Sequence, residues 1–268
     1  MIASWINGEP GEALSARDRG LQYGDGVFET MAVIQGRVRL LDAHLARLAA
    51  GLSRLAIPPP DRDALEREIA RAAALPEVGV LKLIITRGVG ARGYRPDAGT
   101  ATRILSAWPA RKPALGFANS GVELRICATR LAEQPVLAGL KTLNRLEQVL
   151  ARGEWGDDPP EGLMLDGAGR VICGTMSNLF AVLPRGLVTP ALERCGVRGV
   201  MRGAVLKAAA AAGVTIFERE LTLADLELAS ELFLTNALIG VWPVRRLAPR
   251  DFAIGPMARA AQRWIAEL

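Results

Sequence analysis

The sequence predicts a mixed α/β (α+β) fold in two domains, and three observations carry that prediction. Strand-like and helix-like segments follow one another without the regular strand–helix–strand order of a doubly wound sheet. The segment Trp108–Gly121 (WPARKPALGFANSG) gathers Pro, Gly and polar residues and reads as a connection between domains. The chain has 268 residues, 50% hydrophobic and 23% charged, which is long enough for sizeable cores and too apolar to stay unfolded. The boundaries are 1–110 for a small N-terminal α/β domain, 111–120 for the connection and 121–268 for a larger C-terminal domain.

The elements follow from local pattern. Val27–Ile34 (VFETMAVI) is β-rich, and Gly36-Arg37 turns it into a hairpin with Val38–Leu41. Asp42 is placed to cap a helix over 43–55, with Leu45, Leu48, Leu52 and Leu55 at helical spacing, and Pro58–Pro60 ends it. Asp61 opens a second helix to Ala74 with Leu65, Ile69 and Ala73 on one face. Val78–Thr86 and Arg103–Trp108 read as strands. Past the connection come a strand at Val122–Ala128, a helix at 143–153 and strands at 162–166, 170–173 and 178–183. A helix at 200–212, with Val200, Ala204, Ala208 and Ala211 as its apolar positions, precedes strands at 214–219 and 231–236. A helix at 255–267 closes the series.

Composition excludes much chemistry. Of 33 Lys+Arg, only Lys82, Lys112, Lys141 and Lys207 are lysines, leaving 29 arginines, and His44 is the one histidine. Zinc sites built on several histidines are impossible, and any serine or cysteine triad would need His44. The net charge of +5 is spread by scattered arginines, which argues against a nucleic-acid-binding module. Cys127, Cys173 and Cys195 are odd in number and widely spaced, so no disulfide framework is expected. The start MIASWINGEPGE lacks a basic and apolar leader, and no apolar run reaches the roughly 18–20 residues of a membrane span. A soluble cytoplasmic protein is expected.

Gly88-Val89-Gly90-Ala91-Arg92-Gly93 spells the dinucleotide fingerprint, but Tyr94-Arg95-Pro96 follows where the fingerprint requires a helix. A glycine-rich loop presenting Arg92 and Tyr94 fits better. Among the lysines, Lys82 lies in an alternating strand, Lys112 in the polar connection and Lys207 on a helix face open to water. Lys141 stands where an extended segment turns into a helix, from which it can project into a cleft between domains. It reads either as an amine nucleophile or as a surface lysine at a helix start. Gly196-Val197-Arg198-Gly199 runs into the helix at 200, whose first amides form an anion site or an ordinary turn. Arg47, one turn beyond His44, is spaced to clamp the same anion bidentately, while His44 itself reads equally as a helix-start residue bonded to backbone. A lysine and a phosphate cradle together imply pyridoxal phosphate.

The segments YGDGVFET (23–30), HLARL (44–48), TRGVGARGY (86–94), GLKTLNRLEQVLAR (139–152), GTMSNLF (174–180), GVRGVMR (196–202) and TNALIGVWPV (235–244) resemble the fold-type IV pyridoxal-phosphate enzymes over nearly the whole chain. Within them, the Lys-x-Leu-Asn-Arg-Leu-Glu-Gln-Val-Leu run and the Arg-Gly-Tyr loop are most similar to the lyases that act on 4-amino-4-deoxychorismate. The resemblance implies pyridoxal 5'-phosphate as cofactor, with Lys141 as Schiff-base lysine and general base. It implies Arg47, Val200, Met201, Asn236 and Ala237 around the phosphate, and Phe28, Glu29, Arg92 and Tyr94 toward the substrate. It also implies a homodimer and a product, 4-aminobenzoate, used in folate synthesis. One position departs from the pattern: Cys173 stands where the family carries a glutamate facing the cofactor's ring nitrogen. A buried thiol cannot hold that nitrogen protonated. The alternatives are an aminotransferase of the same fold, for branched-chain or D-amino acids, and a degenerate paralogue without catalysis.

Overall fold

The computed structural model describes residues 1–75, 77–96, 99–110 and 116–266, and the chain divides into two compact units. Unit 1 is Met1–Lys112 together with Leu140–Asn144, and unit 2 is Pro113–Gly139 with Arg145–Leu268. The contact boundary therefore falls inside the 111–120 connection, but the five residues around Lys141 pack with the N-terminal unit rather than the C-terminal one. Residues 111–115, including Lys112, lie outside the described residues, and 117–120 form a short helix rather than an open linker.

Unit 1 contains β1 (Ala3–Ile6), β2 (Glu9–Pro10), α1 (Arg19–Tyr23), β3 (Gly26–Ile34), β4 (Arg37–Val38), α2 (Leu41–Arg54), α3 (Arg62–Ala73), β5 (Val78–Thr86) and β6 (Thr102–Pro109). Its antiparallel sheet has the order β2-β1-β6-β5-β3-β4. Alternation on β3 sends Val27, Glu29, Met31 and Val33 to one buried face and leaves Phe28, Thr30 and Ala32 half-buried on the other. The buried face meets Leu45, Leu48 and Leu52 of α2 and Leu65 and Ile69 of α3. Asp61 caps α3 through a 2.7 Å bond from the Ala64 amide. Asp42 does not cap α2: the helix begins two residues earlier than expected, at Leu41 after Leu40 in the left-handed region (φ 56°), and Asp42 lies within its first turn. For the same reason the hairpin partner of β3 shrinks to Arg37–Val38.

Unit 2 contains α4 (Phe117–Ser120), β7 (Val122–Ile126), α5 (Leu146–Arg152), β8 (Glu161–Leu165), β9 (Val171–Gly174), β10 (Asn178–Leu183) and β11 (Gly186–Pro190). It continues with α6 (Val200–Ala211), β12 (Ile216–Arg219), α7 (Leu223–Glu227), β13 (Glu231–Asn236), β14 (Gly240–Leu247), β15 (Arg250–Asp251) and α8 (Pro256–Ala266). Eight strands run β12-β11-β10-β13-β14-β7-β8-β9, and β15 pairs with β14. Parallel pairs (β11–β12, β14–β7, β7–β8) mix with antiparallel ones, which makes the fold mixed α/β. Leu179, Ala181, Leu232 and Leu234 face the main core. On the opposite face Phe180 stacks on Phe233 at 4.9 Å, with Asn178 and Thr235 beside each other in the next register on that side. The buried side of α6 is Met201, Arg202, Val205 and Ala209, not the alanine row at 204, 208 and 211. The bulkier side chains decide which stripe turns inward.

Candidate active site

In unit 1, the segment carrying Lys141 lies along the edge of β3 that β5 leaves open. The Phe28 amide donates to the Lys141 carbonyl at 2.9 Å and the Leu143 amide to Gly26 at 3.0 Å. Two backbone bonds one residue either side of Thr142 fix the lysine like an extra strand residue. Its half-buried side chain places Nζ 4.2 Å from the centroid of the Phe28 ring, a cation–π distance. Lys82, opposite Thr30 in register, also approaches that ring at 5.4 Å. Lys207 is exposed on α6.

Phe28 and Glu29 cannot serve one pocket, because consecutive strand residues point to opposite faces. Glu29 turns inward, 1% exposed, where α2 presents His44 and Arg47 to it. Arg47 donates through Nε (2.8 Å) and Nη2 to the two carboxylate oxygens, and His44 Nδ1 lies 2.6 Å from Oε2. The expectation that Glu29 contacts substrate is therefore corrected to that of a buried counter-ion. The fork of Arg47 expected to clamp a phosphate is occupied by Glu29. Burial pushes the Glu29 carboxyl up, and the Arg47 and His44 bonds outweigh it, holding it below the ordinary range. His44 Nε2, fully buried, finds no hydrogen-bond partner among the described residues.

Arg92 and Tyr94 are exposed, Tyr94 at 88%. No helix opens at the glycine-rich loop, as its sequence context implies. The loop is tied to α1: Arg19 donates to the carbonyls of Gly93 (2.8 Å) and Tyr94 (3.2 Å), and the Tyr94 ring meets Tyr23 edge-on at 5.7 Å.

In unit 2, α6 starts at Gly199, which offers no capping side chain, so the Val200 and Met201 amides are the open donors of a twelve-residue helix. Asn178 braces the approach: its Oδ1 accepts from the Gly199 amide (3.1 Å) and its Nδ2 donates to Val197 (2.9 Å). A Cβ at Gly199 would fall 2.1 Å from Asn178 Oδ1, so this turn admits only glycine. Thr235, fully buried and adjacent to Asn178 on the same sheet face, has a hydroxyl without a partner among the described residues. Asn236 Oδ1 accepts from the Leu238 and Ile239 amides at 2.8 Å each, shaping the turn that carries Ala237. By contrast, Glu231 already fills the start of α8, accepting from Met257 and Ala258. Uncapped amides, a glycine cradle and an orphaned hydroxyl fit a phosphate group.

Cys173 is buried on β9 opposite Met164. Burial first, then the nearby Glu161 charge, pushes its thiol far up, so it stays protonated. Glu161 does not substitute for it. Its carboxylate accepts from the amides of Gly162 (2.9 Å), Thr175 (2.8 Å) and Met176 (3.1 Å) and from the hydroxyls of Thr175 and Ser177. Glu161, Asn178 and Thr235 had no signal of their own in the sequence; Glu161 is held by Thr175, Met176 and Ser177, Asn178 by Val197 and Gly199, and strand pairing alone brings Thr235 beside Asn178.

The amino-transferase class IV family model matches residues 26–247. An aminodeoxychorismate lyase of Vibrio harveyi is 39% identical over 266 residues, covering 96% of this chain and 97% of that protein. A putative branched-chain-amino-acid aminotransferase of Methanocaldococcus jannaschii is 34% identical over 90% of this chain and 86% of its own. Among solved structures, a 4-amino-4-deoxychorismate lyase from Pseudomonas aeruginosa superimposes with a TM-score of 0.95 at 50% identity, covering 98% of both chains.

Proposed function

The chain belongs to the amino-transferase class IV family, and from that premise we propose that it is a pyridoxal-phosphate-dependent lyase converting 4-amino-4-deoxychorismate to 4-aminobenzoate and pyruvate. The observation that carries the reading is Lys141: its backbone is fixed along β3 and its amine lies on the Phe28 ring.

The uncapped start of α6 fits the cofactor's phosphate, with Val200 and Met201 donating and Asn178 and Gly199 shaping the turn. Asn236 and Ala237 lie on the neighbouring turn of unit 2. Bound there, pyridoxal phosphate would supply an electron-accepting ring conjugated to the carbon that loses its proton. Lys141 would hold the cofactor through its aldehyde carbon, and the same amine is placed to take the proton from the substrate's amine-bearing carbon and to return it to the departing enolpyruvyl group. The carbon–oxygen bond to the enolpyruvyl group breaks, pyruvate leaves and the ring becomes aromatic. Arg92 and Tyr94 are assigned to the substrate's carboxylates, with Phe28 packing beneath the lysine.

Cys173 favours elimination over amino transfer. Its protonated thiol supplies no carboxylate to the ring nitrogen, and Glu161 is committed to five donors. Aromatisation drives the elimination and tolerates a weaker electron sink than transamination does. Exposed Leu146, Val149 and Leu150 on α5 support a homodimer, since a solvated helix rarely carries three such side chains. Among the described residues no helix is long and apolar enough to cross a membrane, and a cytoplasmic role in folate synthesis is the matching context.

The test supplies 4-amino-4-deoxychorismate to the cofactor-loaded protein and follows 4-aminobenzoate and pyruvate. Lys141→Ala should abolish both products. Formation of neither by the unaltered chain, with amino transfer from an amino acid to a 2-oxo acid instead, overturns the lyase reading.

A further inference from the structure

Unit 1 holds a recess of about 420 Å³ lined by Arg17, Gln22, Tyr23, Gly90 and Arg92. Both of its rims are fixed to each other. The Gly90 amide donates to the Arg17 carbonyl (3.3 Å), the Arg19 amide to Gly88 (2.8 Å), and the Gly93 amide to the Tyr23 hydroxyl (3.1 Å). From below, buried Arg19 grips the carbonyls of Gly93 and Tyr94. Arg17 and Arg92 thus both line one opening whose backbone rims are tied together.

Among the described residues, the acidic groups of this region are already engaged. Asp18 is consumed by the Gly20 amide and the Thr86 hydroxyl, and Asp25 by Arg19 and Arg87. Neither Arg17 nor Arg92 has an acidic partner among the described residues. The Tyr23 hydroxyl accepts from the Gly93 amide. Two guanidinium groups and a phenol around one concavity, with no carboxylate on its wall among the described residues, match an anion with planar oxygen pairs.

We propose that this recess binds a carboxylate of the substrate and that Arg17 is its second cation, acting with Arg92 to select a dicarboxylic ring over a monocarboxylic one. The inference rests on the lyase reading and adds to it a residue that sequence reasoning left unassigned. Its position suits that reading, because the turn ending α1 just after Tyr23 also receives the Asn144 side chain on the Gly24 carbonyl (3.3 Å), three residues beyond Lys141.

The probe is chorismate, a cyclic dicarboxylate with a hydroxyl where the substrate has its amine, titrated calorimetrically into the cofactor-loaded full chain. Benzoate serves as the monocarboxylate comparison. Arg17→Gln should weaken chorismate binding by about tenfold, the loss of one charge-assisted contact, and change benzoate binding far less. Arg17→Lys should recover part of the affinity, and Arg17→Glu should lose more than Arg17→Gln. Cofactor uptake, read from the visible absorbance, should match the unaltered protein in all three. Chorismate affinity within about twofold of the unaltered chain in both Arg17→Gln and Arg17→Glu overturns the proposal, as does equal loss for chorismate and benzoate. If the unaltered protein makes 4-aminobenzoate and Arg17→Gln does so with unchanged KM, the recess assignment alone fails. If the unaltered protein makes none, the lyase reading fails, whatever the titration gives.

Discussion

Glu29→Ala should be the most damaging single truncation in unit 1 for its size. The carboxylate is 1% exposed and receives two bonds from Arg47, whose side chain is 12% exposed, and one from His44, which is fully buried. Removing it strands a guanidinium and an imidazole in a place where water cannot replace the lost partner. Breaking a buried ion pair from one side destabilises by about 3–5 kcal/mol, which corresponds to an unfolding midpoint lower by roughly 10 °C. The assay is thermal and urea unfolding of cofactor-free protein at neutral pH, so that phosphate binding does not contribute to the signal. Arg47→Met and the double variant complete a cycle. Because each single change removes the same pair of bonds, the double variant should be less destabilised than the sum of the singles, by about 1–3 kcal/mol. Effects that add within about 0.5 kcal/mol would show that Glu29 and Arg47 act independently and would refute the counter-ion assignment.

Further outcomes follow from the same geometry. Gly199→Ala should destabilise the protein by about 1–3 kcal/mol and weaken cofactor binding in a spectrophotometric titration, because the new Cβ meets Asn178 Oδ1. Gly203→Ala, one turn further along α6 with open space at its Cβ, should instead stabilise by about 0.5–1 kcal/mol. Acid should destabilise unit 1: Glu29 and Asp25 are both held below their ordinary range against burial, by Arg47 with His44 and by Arg87 with Arg19. The stability they contribute is present above the unfolded carboxylate range near pH 4 and is lost as pH falls through the lower folded values. Melting curves from pH 7 downward should show the loss, and Glu29→Ala should flatten it. All three thiols should be silent to a disulfide reagent at pH 8 and react on denaturation, since burial raises Cys127 to about 12, Cys195 to about 11 and Cys173 further still.

Much of this arrangement was legible in the residue order. The strand pattern of 27–34 and 78–86, the Asp61 cap and the helix start at Val200 are local signals, and local signals survive folding. Lys141 was separable from the other lysines because its context, an extended run meeting a helix, is local too. What failed needed partners from afar. The resemblance sets Glu29 beside Phe28 toward the substrate, although strand alternation separates the two, and only the approach of α2 reveals its counter-ions. Strand β14 was missed because Pro243 interrupts its apolar run. The proline is tolerated there because β7 joins the ladder only from Val244 onward. The short β1 carries too few residues to show a period, and its pairing with β6 is what makes it a strand.

The five residues Leu140–Asn144 belong to unit 1 although the chain has by then spent 27 residues building unit 2, from Pro113 to Gly139. During synthesis the first unit therefore emerges from the ribosome with the edge of β3 still bare. At ordinary translation rates of about 5–20 residues per second, the strip that covers this edge arrives roughly two to six seconds later. An amine on a half-finished domain would be exposed to any aldehyde in the cell; here it is delivered only when its berth already exists. A nascent chain halted before residue 140 would carry α2, α3 and their core, yet leave Phe28 without the lysine that rests on it.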